Sequence, residues 1–141
     1  MRPLQWWLRI VGVLYIVEGV GLSLMALFDP NQFATVWSST EVGTLDEVAV
    51  RGIRTAGLPG VLTWALLGAM MLILSRIPAR AGILVVTVAA WELLVWLPVD
   101  LVALFNGFGV PRAVALITIH TVIGVSGIVL LRRQSRDGRG G

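Results

Sequence analysis

The stretch WELLVWLPVD, from Trp91 to Asp100, places two carboxylates inside a segment otherwise fit only for lipid. It belongs to an apolar run over residues 79–105. Roughly 20 such residues, wound as a helix, cross the ~30 Å hydrocarbon core of a bilayer. A charge near the middle of that helix costs about 2.5–3.5 kcal/mol on insertion scales, so Glu92 is expected to face a partner or a cavity rather than lipid. Residues 4–28, 56–74 and 113–131 form three further runs of spanning length. The 141-residue chain is 57% hydrophobic and 13% charged, whereas an average soluble domain is about one quarter charged. The expected fold is all-α and integral to the membrane, a four-transmembrane-helix bundle forming one domain over residues 1–131. A basic, Gly-rich tail over residues 132–141 reads as disordered and cytoplasmic. The first run is longer than the roughly 7–15 apolar residues of a signal peptide and lacks a small-x-small site before Asp29, so it is expected to stay as a helix.

Charge sets the orientation. All eleven basic residues are arginine, against eight acids and one histidine. Arg2, Arg9, Arg76, Arg80, Arg132, Arg133, Arg136 and Arg139 fall on one side of the four runs, and Arg51, Arg54 and Arg112 on the other. The positive-inside rule then places both termini in the cytoplasm of a cell inner or plasma membrane, with Trp6 and Trp7 beside Arg9 at headgroup level. No basic stripe alternates with aromatics, so nucleic acid is not an expected partner. With no cysteine, disulfides, thiolate metal sites and a cysteine nucleophile are excluded.

Local signals divide the runs. Asp29-Pro30 reads as a cap followed by a first-turn proline, opening a short outer interfacial helix over residues 30–38 whose Phe33, Val36 and Trp37 lie on the membrane surface. Thr44 to Glu47 reads as a capping box that starts the second span. Gly57-Leu58-Pro59-Gly60 is expected to bend that span, and Pro98 to break the third near its outer end. Residues 75–80 form a tight inner turn, 106–109 an outer turn, and Pro111 fits the first turn of the fourth span. Gly12 with Gly19, and Gly124 with Gly127, mark faces where a neighbouring helix approaches closely.

Depth along the helices brings the polar residues together. At 1.5 Å per residue, Glu18 and Glu92 each lie about 18 Å from the inner boundary, and His120 about 14 Å from the outer one, nearly the same plane of a ~30 Å core. Arg51 and Arg54 sit above that plane, and Asp100 about 12 Å above Glu92; Glu92, Trp96 and Asp100, four apart, form one stripe with an indole between two carboxylates. These positions imply a polar pocket in the outer half of the bundle. Ionisable groups held out of water are driven toward their neutral forms, which suits them to donate and accept protons. The candidate catalytic residues are Glu18, Glu92, Asp100 and His120. Trp64, Trp91, Trp96, Arg51 and Arg54 are the candidate substrate-binding residues, an indole face being able to stabilise a developing cation. One histidine and two carboxylates form at most a facial set, and no His-x-x-x-His or Glu-x-x-His spacing supports it, so neither metal nor cofactor is expected.

The first functional expectation is binding of a lipophilic small molecule. A second is cofactor-free acid/base catalysis by an isomerase or cyclase that protonates an alkene or epoxide. A third is an accessory subunit of a membrane complex, in which the same acids pair with Arg51 or Arg54 and hold helices together, Asp100 closing the pocket's mouth. Besides membrane lipids and the ligand, a second copy of the chain is a possible partner. Proton transport is disfavoured because four helices are few and no inverted repeat is visible.

The Trp7-Leu-Arg9-Ile-Val-Gly12-Val-Leu-Tyr15 opening, the Gly57-Leu58-Pro59-Gly60 segment, Asp100 followed by Gly107, and His120 followed by Gly127 together resemble small four-helix bacterial membrane proteins of the BphX-like and DoxX-like kind. That resemblance implies a four-helix membrane protein, in some cases encoded beside pathways for aromatic or lipophilic compounds, and carries over no reaction or catalytic residue. The Trp91-Glu92 and Pro98-Val99-Asp100 features are also similar in chemistry to membrane-bound terpene cyclases and emopamil-binding-type isomerases, which surround a lipophilic substrate with acids and aromatics.

Overall fold

The computed structural model describes residues 2–38, 43–105 and 110–137. Among them the chain is all-helical: α1 (Arg2–Phe28), α2 (Pro30–Ser38), α3 (Glu47–Leu74), α4 (Gly82–Phe105) and α5 (Val110–Asp137), with a 3-10 turn at Pro78–Arg80. α1, α3, α4 and α5 are long and apolar enough to cross a membrane. The turn expected at residues 106–109 lies outside the described residues, as do residues 138–141 of the tail. Residues 132–137, expected to be disordered, instead continue α5 to Asp137. They contain neither glycine nor proline, so nothing in them stops a helix already nucleated by the apolar run.

The chain divides into two compact units, residues 12–70 and residues 1–11 with 71–141. In the first of these, Leu22, Ala26, Phe33 and Val61 form a buried core, flanked by Met25, Val36, Ile53, Leu58 and Trp64. Asp29 caps α2 as expected, its Oδ1 accepting the Gln32 N–H at 3.0 Å just ahead of Pro30. Phe33 is not an interfacial residue: it is buried in that core. The α1 backbone ladder runs through Asp29, which donates to the Met25 carbonyl and accepts from the Phe33 N–H. The junction therefore turns the Phe33 face inward. The side chain of Trp37 lies outside the described residues.

Two close approaches join α1 to α3 within this unit. A Cβ added to Gly19 would lie 2.6 Å from the Ala65 nitrogen, and one added to Gly68 only 2.4 Å from the Gly12 carbonyl oxygen. Only glycine lets the backbones meet at that distance, the device expected of Gly19 and supplied at the second approach by Gly68. α3 begins differently from expectation. Asp46, not Thr44, is its cap, with Oδ1 accepting the Ala49 N–H at 2.7 Å; a carboxylate is the better acceptor at a helix N-terminus.

In the second unit, the first turns of α1 meet α5 and Ser75. Trp7 is buried and its indole N–H donates to Ser126 Oγ at 2.9 Å. Trp6 is exposed, with the Arg9 guanidinium 5.3 Å from its ring centre. Arg9 Nε also reaches Ser75 Oγ at 3.4 Å, next to the inner turn.

The prolines of α3 and α4 are absorbed rather than breaking their helices. Each follows a single wide, π-type turn: Ile53–Gly57 ahead of Pro59, and Glu92–Trp96 ahead of Pro98. In both, the residue before the proline donates five residues back, Leu58 N–H to the Ile53 carbonyl and Leu97 N–H to the Glu92 carbonyl. A proline ring collides with the carbonyl four residues back and removes one ladder bond. Widening the preceding turn relieves the collision while the helix continues. α4 thus runs on past Pro98 to Phe105.

Candidate functional site

The site is built from α4 and α5. His120 on α5 meets two carboxylates of α4, one at each ring nitrogen: Nδ1 contacts Glu92 Oε2, and Nε2 stands 3.5 Å from Asp100 Oδ2. Trp96 stacks on the imidazole with ring centres 5.7 Å apart and planes inclined by 14°. Glu92 and Asp100 are buried, at 1% and 5% exposure, and the His120 side chain at 15% is the most open of the three. Each group is therefore held mostly by protein.

Helix spacing explains the α5 side. His120, Gly124 and Gly127 recur at helical intervals and share one face. A Cβ on Gly124 would lie 2.5 Å from Leu93 Cγ, and one on Gly127 2.8 Å from the Trp7 ring. Gly124 thus lets Leu93, the neighbour of Glu92, pack directly onto α5, one turn from His120. The approach brings Glu92 to the imidazole.

The proton inventory follows from the donors and acceptors. A neutral imidazole donates at one nitrogen and accepts at the other, whereas an imidazolium donates at both. With Nδ1 donating to Glu92, the Nε2 side admits two arrangements of equal proton count: imidazolium facing Asp100 carboxylate, or neutral imidazole facing Asp100 carboxylic acid. They differ by one proton moved between Nε2 and Oδ2. At 3.5 Å that gap is an ion-pair distance and not a hydrogen bond. Asp100 Oδ2 is buried and has no hydrogen-bond partner among the described residues. The geometry is thus asymmetric, with Glu92 orienting the ring and Asp100 presenting an oxygen still able to bond, the base-and-orienter pattern of acid/base sites.

Four of the other expected site residues fall in the other compact unit. Glu18, Trp64, Arg51 and Arg54 belong to the unit over residues 12–70. Glu18 is exposed there, and Trp64 packs against the Leu22–Phe33 core. Arg51 Nη2 lies 3.8 Å from Glu47 Oε1, one turn back on an exposed surface, and Arg54 donates to the Leu27 carbonyl at 3.1 Å. The group that meets Asp100 is the His120 imidazole, so Asp100 belongs to the same cluster as Glu92. Trp91 is 42% exposed beside it in sequence. Among the described residues no three His, Cys, Asp or Glu side chains are arranged to hold a metal ion; Glu92 and Asp100 address opposite nitrogens of one ring and do not converge on a point. Comparison with protein-family models, curated proteins and solved structures gives no match to this chain.

Proposed function

We propose that this chain is a multi-pass protein of the cell inner or plasma membrane, with both termini cytoplasmic, that binds a lipophilic small molecule at Glu92, Asp100 and His120. The orientation rests on the arginine asymmetry; reporter fusions at each terminus check it. The observation that carries the binding reading is Asp100 Oδ2, a buried oxygen without a hydrogen-bond partner among the described residues. A buried polar atom left unbonded costs about 1–3 kcal/mol. A ligand with an apolar body and a donor head group recovers that cost at Oδ2 while its body lies against Trp96 and surrounding aliphatic side chains. The test is photolabelling in lipid nanodiscs with a diazirine-bearing alkyl amine and its alcohol analogue, cross-links being mapped by mass spectrometry. Labelling of α4 and α5 around Trp96 that disappears in Asp100→Leu supports the reading; equal labelling of wild type and variant contradicts it.

A second reading, cofactor-free acid/base catalysis, is favoured by the imidazole contacting a carboxylate at each ring nitrogen. Here Glu92 orients the ring, and Asp100 and His120 exchange a proton with an alkene, epoxide or enolisable substrate. A solvent-deuterium incorporation assay on such substrates separates the two: exchange lost in His120→Gln marks an enzyme, and binding without exchange marks a carrier or receptor.

A further inference from the structure

We infer that Pro98 is a positioning residue for this site, setting through the wide turn ahead of it the register that points Glu92 and Asp100 at the same imidazole. The inference concerns the geometry of the trio and does not depend on the ligand. In a regular helix each residue advances about 100°. Glu92 and Asp100, eight residues apart, would then be separated by about 800°, or about 80° beyond two full turns. Two side chains splayed by that angle are poorly placed to bracket one ring. A π-type turn takes up one extra residue, so the eight positions rotate like about seven, about 700°, which leaves the acids about 20° apart. The observed turn, closed by the Leu97 N–H on the Glu92 carbonyl, lies between the two acids.

Pro98 accounts for that turn. Its ring opposes the carbonyl of Leu94 and offers no N–H to it, and the wide turn ends immediately before it. The same construction recurs independently in α3, where Leu58-Pro59 follows the turn Ile53–Gly57 at an identical offset. A Leu-Pro pair six residues after the first residue of the turn is thus common to both. No other residue type removes the donor and crowds the preceding turn at once.

The prediction is a matter of register and can be read without ligand or activity. His120 is the sole histidine, so protein labelled with ¹⁵N-histidine and carrying a non-histidine affinity tag gives the signals of one imidazole. With Pro98 present, Asp100→Asn should shift the Nε2 resonance. In Pro98→Ala, where a regular helix can form, that response should be lost, because Asp100 turns away by about 100°. Moving the acid one residue back, Val99→Asp with Asp100→Val, should restore the carboxylate signature in the Pro98→Ala background, since seven residues of regular helix also total about 700°. The same exchange with Pro98 retained should abolish it. An undiminished response to Asp100→Asn in Pro98→Ala, or failure of the moved acid to restore it in folded protein, overturns the inference. Should Pro98→Ala not fold, the Pro98 background still decides: an acid at position 99 that couples to His120 as well as Asp100 does contradicts the proposed register.

Discussion

His120 Nε2 and Asp100 Oδ2 stand 3.5 Å apart with no hydrogen bond to Oδ2 from any described residue, while the opposite nitrogen of the same ring contacts Glu92. The two acids therefore carry different structural weight. Glu92 is nearly inaccessible and bonded to His120, whereas Asp100 Oδ2 takes no hydrogen bond from a described residue. Deleting one partner of a buried hydrogen bond costs about 1–3 kcal/mol, and more where the group is charged. We expect His120→Ala to lower thermal stability in detergent by that order and Asp100→Asn by about 1 kcal/mol or less, since a neutral amide sacrifices no good hydrogen bond. Equal losses in the two variants would contradict the asymmetry.

Packing between α4 and α5 makes a second prediction. Gly124→Ala places a methyl group 2.5 Å from Leu93 Cγ, and overpacking of this kind costs about 1–3 kcal/mol. Leu93→Ala in the same chain opens the space and should recover part of the loss, a coupling measurable by a double-mutant thermal-unfolding cycle. Additive effects would show that the two residues do not touch.

At the start of α3, Asp46→Ala should cost about 1 kcal/mol of local helix stability by leaving the Ala49 N–H without its cap. Thr44→Ala should cost little. Hydrogen exchange at Ala49 and Val50 reads the difference directly, and faster exchange in Thr44→Ala than in Asp46→Ala would return the cap to Thr44.

Much of the fold was legible because the length of each apolar run is a property of the sequence alone. The meeting of Glu92 with His120 was legible too, since residues counted inward from opposite boundaries at a fixed rise reach the same plane. The four-residue spacing of Glu92, Trp96 and Asp100 also puts the second carboxylate on the same stripe, although a regular helix leaves it about 80° aside; the wide turn ahead of Pro98 that brings it closer into line was not legible. Proline in a helical run reads equally as a break, a kink or an absorbed turn, and only the backbone bond from Leu97 to Glu92 distinguishes them. The cap of α3 was ambiguous for a simpler reason: Thr44 and Asp46 both precede a helix start by composition, and the longer pattern drew the reading to Thr44. Phe33 was misplaced because amphipathic spacing gives a helix's apolar face but not whether lipid headgroups or protein covers it.

One imidazole, that of His120, is held between the two carboxylates Glu92 and Asp100. The most direct measurement is the ¹⁵N spectrum of the single histidine in lipid nanodiscs, recorded for wild type, Glu92→Gln and Asp100→Asn. Glu92→Gln should move the Nδ1 resonance most and Asp100→Asn the Nε2 resonance most. An imidazole indifferent to both substitutions would contradict that arrangement.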